Sequence, residues 1–428
     1  MKHLLKYAIL TATLIAVYLL VGLASWYLPD KQIRKAITQS VEMGDIGEDY
    51  PRAIVNKEMC RMDNCTDALI LNQAYSSHIM NPIQSVLLVP SAGGEIRGVA
   101  ALDSVVTGYA KPIQTYARYW HGSTFLMRFL LFGIGRYANI RLLFYYTTSL
   151  LLLFLLFLSW KQGLFNLSVA LTLSFILLKG YVLQFSIQFF PVLTLATVGA
   201  ILAITYRNHL QRLQTTLYIL GSLTAFFDLL TVPLLTLGIP LLTYFSCNDR
   251  NTAGMDWPRL IKTIVLLAFI WFIGYAVTWS SKWLIATWLT GNNVFAEALS
   301  VGAYRVHGEI PYTSHYNLFD VLTANISKLP LSLLAAIAAV LFLPAVFFHK
   351  RNNVKNIAIL LTIAIMPYVW YVVLSNHSLV HCWFTYRAQT ISVAAFLTII
   401  MNLTDWPMLL DKSSRITRKA IQWKSKRQ

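Results

Sequence analysis

Apolar runs recur through this chain, and a helix needs about 20 such residues to cross a hydrocarbon core of about 30 Å. The runs are continuous rather than alternating in ten-residue units, which selects helices over an outer-membrane barrel. They fall near Tyr7 to Leu28, Leu142 to Leu158, Leu164 to Leu178, Phe190 to Tyr206, Thr215 to Leu230, Thr231 to Phe245, Thr263 to Ser280, Leu329 to Phe348, Ile357 to Leu374 and Ala388 to Leu403. The expectation is an all-α polytopic membrane protein with about ten transmembrane helices. Composition agrees: only 12% of the 428 residues are charged, about half the share of a soluble domain, which leaves too little polar surface for a globule in water.

Ten crossings can be threaded so that the short basic connections share one side. These carry Lys2 and Lys6, Lys161, Arg207 and Arg212, Arg250 with Arg259 and Lys262, then Lys350, Arg351 and Lys355, and the tail 404–428. Lys and Arg mark the cytoplasmic side, so both termini are expected there, in an inner or plasma membrane. The net charge of +17 reflects this bias. The basic residues are spread over separate loops, which excludes a nucleic-acid module and leaves membrane lipids as the partner of the tail, through Ile416, Ile421 and Trp423 among its cations. The first run is too long for a signal-peptide core, and "SWYLPD" is a poor cleavage site, so it reads as a membrane helix. No internal repeat or linker divides residues 1–428, which read as one membrane domain.

The remaining segments are extracytoplasmic on this threading: a large first loop over 30–140, a second over 281–328 and a short third from Ser375 to Gln389. The first holds much of the acidic total, including "CRMDNCTDALILN" from Cys60 to Asn72. There Asp63 or Thr66 suits the N-cap of a helix, which requires no function. Asp63 and Asp67 also lie four residues apart, on one helix face, where paired carboxylates raise a pKa or hold a cation. Cys60 and Cys65 face an oxidising compartment, where a disulfide can clamp the turn. Next comes "YARYWHGSTFLMRFLLFGIGRYANIR", in which Arg128, Arg136 and Arg141 interrupt an apolar segment suited to an interfacial helix. Ahead of it, Tyr116, Arg118, Tyr119, Trp120 and His121 combine an anion donor, a titratable imidazole and aromatic platforms for a sugar, or else form an aromatic belt. The second loop adds Glu297, Arg305, His307 and Glu309; the third adds His377, His381 and Arg387, suited to phosphate contact more than to zinc. Asp228 is ionisable at membrane depth, where such residues face cavities.

This plan resembles the GT-C superfamily of membrane glycosyltransferases: many spans, a large acidic first external loop with an amphipathic segment, and Arg and His in later external loops. The resemblance rests on topology and residue types along the whole chain. It implies a sugar donor on a polyprenyl-phosphate carrier, a glycan, lipid or protein acceptor, and a base from the first loop. Asp63 or Asp67 would be that base. The family's acid, however, usually follows the first span closely, so Asp45, Glu48 or Asp49 in "MGDIGEDYP" is the alternative. Arg118, Arg387, His121, His377 and His381 would hold the carrier phosphate, with Tyr116, Trp120, Asp228, His307 and Glu309 near the substrate. Such chemistry needs no nucleotide, and "SAGGEIRG" lacks the Lys and Ser/Thr of a phosphate loop; a divalent cation is the one cofactor left open. A lipid-linked glycan polymerase or ligase, a transporter and a noncatalytic scaffold are the competing readings.

Overall fold

The computed structural model describes residues 2–52, 60–108, 113–308, 316–350, 353–409 and 411–412. Helices make up 78% of the structure and the described sheet is two three-residue strands, so the protein is nearly all-α. Each apolar run is a helix: Lys2–Trp26, Tyr137–Lys161, Phe165–Leu177, Phe190–Thr205, Leu210–Phe227, Leu235–Cys247, Trp257–Thr290, Leu331–Phe347, Val354–Val373 and Thr390–Asn402.

Their lengths differ from expectation. Five segments are long and apolar enough to cross a membrane on their own: Leu5–Trp26, Tyr137–Lys161, Trp257–Thr290, Val354–Val373 and Cys382–Asn402. A sixth arises if Leu318–Ile326 and Leu331–Phe347, bent by 67° at their junction, form one span. Helices of 13 residues, such as Phe165–Leu177 and Leu235–Cys247, reach only about 20 Å at 1.5 Å per residue. Leu235–Cys247 is buried at every position from Leu235 to Phe245, so its apolar surface meets protein on all sides.

The tightest helix contact joins Leu210–Phe227 to Trp257–Thr290. A methyl group added at Gly221 would lie 2.0 Å from the Trp271 carbonyl oxygen, and one added at Gly274 would lie 2.2 Å from that of Tyr218. Reciprocal glycines thus bring backbone against backbone, as in membrane helix pairs that lack a hydrophobic driving force between them. Ser222 and Thr278 share a hydrogen bond at 2.7 Å in the same seam, and Tyr18 of the first helix reaches Ser222 at 2.8 Å.

The insertion after the first helix folds over one end of the bundle. It contains helices Asp30–Glu42, Asn64–Ser76, Pro82–Leu88, Gly98–Val106 and Gly122–Gly133, with strand Pro90–Ala92 antiparallel to Ile113–Thr115. Asn72 pins the first strand to its helix, donating to Ala92 O at 2.6 Å and accepting from Ala92 N at 3.0 Å. Arg128, which interrupts the apolar segment expected to be an interfacial helix, is 1% exposed. It donates to Ser25 O at 2.9 Å, to Ala74 O and to Asp30 at 3.2 Å, joining the first helix to the insertion. Arg136 pairs with Asp45, and Arg141 lies over the Tyr137 and Phe185 rings. All three arginines thus turn to protein partners, while Phe129, Phe132 and Ile134 of the same stretch stay exposed. Cys60 and Cys65 are free thiols, and Cys60 Sγ lies 3.3 Å from Tyr181 Oη.

At the opposite end the basic connections meet one another's elements: Lys6 bonds Thr215 at 2.6 Å, Arg207 bonds Gln162, and Asn353 bonds Asp249. The bundle therefore has a basic end and an end capped by the insertion.

Replacing Gly221 or Gly274 by Leu is expected to lower the melting temperature in detergent, with a destabilisation of about 1–3 kcal/mol from overpacking. Gly302→Ala, where an added methyl meets nothing within 4 Å and Ala suits a helix interior better than Gly, should not lower it. Differential scanning fluorimetry on the three variants checks this.

Candidate anion site in a lateral apolar cavity

The capped end carries two polar clusters of opposite character. The first is sealed. Asp63 is the N-cap of helix Asn64–Ser76, accepting from Thr66 N at 3.0 Å, Thr66 Oγ1 at 2.8 Å and the Gln188 amide. Asp67 accepts from the Tyr137 hydroxyl, from Ser186 Oγ at 2.8 Å and from Ile187 N at 3.0 Å. Their residues are 3% and 1% exposed. Burial pushes both carboxyls upward, Asp67 to about 7, against the hydrogen bonds that favour the ionised form. Protein donors occupy both oxygens of each. Arg387 lies near this cluster, 1% exposed, its guanidinium over the Tyr386 and Phe189 rings.

The second cluster is cationic and open to a cavity. Arg305, near the end of helix Val294–His307, donates through one terminal nitrogen to His377 Nδ1 at 3.2 Å and His381 Nε2 at 3.0 Å. His377 Nε2 lies 2.8 Å from Leu230 O, and a carbonyl only accepts, so Nε2 carries the proton and Nδ1 is free to accept from Arg305. Leu230 holds this carbonyl in place at φ +68°, a left-handed conformation costly for Leu. Asp228 stabilises that turn by accepting from Thr231 N at 3.0 Å and from the Thr231 hydroxyl. Asp228 is 0% exposed and so acts on the site through Leu230 rather than on a substrate.

Arg305 pairs with no carboxylate among the described residues, and its Nε is buried without a partner. Both imidazoles behave as neutral acceptors. Burial, followed by the neighbouring charges, holds His377 well below its ordinary range and His381 at about 4. The guanidinium thus keeps its full charge beside two uncharged rings.

That charge borders a cavity of about 290 Å³ lined by Tyr119, Trp279, Trp283, Trp370, Arg118 and Arg305, with Phe272, half exposed, also lining it. Arg118 pairs with Glu297 at 2.5 Å and lies over the Tyr116 ring at 4.5 Å. An apolar cavity bearing two guanidiniums suits an amphiphile with an anionic head.

Of the residues singled out in the sequence, Arg118, His377 and His381 meet here, with Tyr116 and Asp228 behind them. Trp120 does not: it is 0% exposed, its indole donating to Thr278 O at 2.7 Å, and it presents no face to a sugar. His121 is 1% exposed with φ +58° and bonds Tyr116 O at 2.7 Å; burial lowers it to about 3. Glu309 and the side chain of His307 lie outside the described residues. Asp49 differs from the other acids. It is part-exposed, and among the described residues only one of its oxygens is engaged, by Val99 N at 2.7 Å. An aromatic path, from Tyr50 to Trp383 at 5.4 Å, to Phe384 at 4.9 Å and to His381 at 5.1 Å, connects its neighbourhood to the cation cluster. Arg305 was present in the sequence as the only arginine between Ser281 and Lys328. Nothing local marked it as the centre of the site. No family model matches the chain, and neither does any curated protein or solved structure.

The depressed His381 has a signed consequence. A histidine whose folded pKa lies below 6.5 contributes stability that is complete above pH 6.5 and is lost as pH falls toward about 4. The melting temperature of the wild type should fall across that window. In His381→Gln, which keeps an acceptor for Arg305 but cannot titrate, the fall should be smaller.

Proposed function

We propose that the protein is a membrane glycosyltransferase of GT-C type, moving a sugar from a polyprenyl-phosphate carrier to an envelope glycan, lipid or protein acceptor. The observation that carries this reading is the Arg305 guanidinium, held by two neutral imidazoles and without a carboxylate partner among the described residues, at the edge of an apolar cavity. In this reading the cavity takes the isoprenoid next to the phosphate, and Arg305 and Arg118 hold that phosphate. The short apolar helices complete about ten crossings, the basic end and both termini face the cytoplasm, and the capped end faces outward.

Direct displacement then follows. The acceptor oxygen attacks the anomeric carbon, and the bond from that carbon to the phosphate oxygen breaks with its electron pair. The two arginines stabilise the leaving phosphate. The acceptor proton passes to Asp49, whose second oxygen has no protein donor among the described residues, whereas both oxygens of Asp63 and of Asp67 are taken by protein donors. Inversion at the anomeric carbon is the stereochemical outcome of a single displacement. One observation favours a second reading: the sealed acids also suit a lipid-linked glycan polymerase or ligase, whose chemistry depends less on carboxylates of the first loop.

Purified protein incubated with radiolabelled polyprenyl-phosphate sugars from a lipid extract tests the proposal. Asp49→Asn should cut transfer at least 100-fold while donor still binds, and Arg305→Ala should weaken donor binding at least tenfold. If only a polyprenyl-diphosphate glycan is consumed, the polymerase or ligase reading replaces this one. If Asp49→Asn transfers at the wild-type rate, Asp49 is not the base.

A further inference from the structure

The basic end of the bundle holds a second cavity, of about 410 Å³, with chemistry opposite to that of the first. Its walls carry Asn166, Asn356, Asn402, Ser246, Trp406 and Lys350, drawn from four helices and the connections between them. Asn356 is 5% exposed, yet its side-chain oxygen has no hydrogen-bond partner, and neither does the buried Ser246 hydroxyl. A buried amide without a partner is costly, and few native structures keep one unless water or a ligand fills the place. Asn166 donates to Asn402 at 2.7 Å, which leaves the Asn402 amide N–H₂ and the Asn166 carbonyl oxygen without protein partners among the described residues.

Three amides lining one space, each with an unused donor or acceptor, match the paired hydroxyls of a polyol, which donate and accept side by side. Asp249 also lines the space. One of its oxygens is taken by Asn353 at 3.1 Å, and the other is left for a hydroxyl. Trp406 has its indole N–H committed to Met401 O at 2.9 Å, so it contributes apolar wall. Lys350 is exposed and has no carboxylate partner among the described residues, which supplies one cation for an anionic group.

We propose that this cavity binds a phosphorylated polyol, with the amides on its hydroxyls and Lys350 on its phosphate. The site is separate from the Arg305 cluster and shares no lining residue with its cavity. The same chemistry is offered by a membrane lipid with a glycerol or sugar head group and by a soluble sugar phosphate.

Full-length protein in detergent, titrated with phosphatidylglycerol, phosphatidylcholine and glucose 1-phosphate and followed by native mass spectrometry and melting temperature, distinguishes these sources. Phosphatidylglycerol binding in preference to phosphatidylcholine, without glucose 1-phosphate binding, identifies a lipid head group. Glucose 1-phosphate binding identifies a soluble ligand. In either case, measured in an Arg305→Ala background so that the first cavity no longer offers its guanidinium to an anionic head, Asn356→Leu and Lys350→Ala should weaken the remaining binding at least tenfold. Lys350 is exposed, so its variant decides the matter if Asn356→Leu fails to fold. Absence of preferential binding by either hydroxylated probe overturns the proposal, as does binding in the Arg305→Ala background that survives Lys350→Ala unchanged, or binding lost altogether with Arg305→Ala alone.

Discussion

Backbone contact at two glycines, Gly221 against Trp271 and Gly274 against Tyr218, positions the helix that forms one wall of the candidate site. It fixes helix Trp257–Thr290 against Leu210–Phe227, with Ser222 and Thr278 paired across the seam. From that register follow the Trp120 bond to Thr278 O and the reach of the fully buried Lys282 to Val86 O at 2.9 Å. Tyr275, Trp279 and Trp283 of the same helix then form one wall of the apolar cavity. A side chain at either glycine would force the helices apart and move that wall away from Arg305.

Charge is handled differently on the two sides of the capped end. Around Asp63 and Asp67 the fold supplies enough donors to satisfy each carboxylate, and these acids tie helix Asn64–Ser76 to Tyr137 and to the segment 186–188. Around Arg305 the described residues supply no carboxylate and two neutral imidazole acceptors, which orient a guanidinium without cancelling its charge. A satisfied buried carboxylate holds structure together, whereas an oriented and uncompensated cation is prepared for an anion.

The helices were legible in the sequence because apolar runs force them, and Asp63 was legible as one of two possible caps, although its spacing from Asp67 equally offered it as a base. Helix length was not: Phe165–Leu177 and Leu235–Cys247 stop at 13 residues, set by packing among neighbours that apolarity alone does not reveal. The partners of Arg128 were not legible, because an apolar run with an arginine looks the same whether that side chain turns outward or, as here, inward to Ser25, Ala74 and Asp30. Trp120 has the same ambiguity between platform and core. Arg118, His377 and His381 were found by residue type, but their organiser was not, since Arg305 meets its histidines across 72 and 76 residues of chain.

The central claim is that Arg305 marks the place of a lipid phosphate. A cryo-electron microscopy structure of the protein in a lipid nanodisc containing polyprenyl phosphate tests it directly. The account predicts phosphate density within hydrogen-bond reach of Arg305, with the isoprenoid running past Trp279 and Phe272. Phosphate density elsewhere, for instance beside Arg387 with the Arg305 cavity holding only bulk lipid, would contradict it.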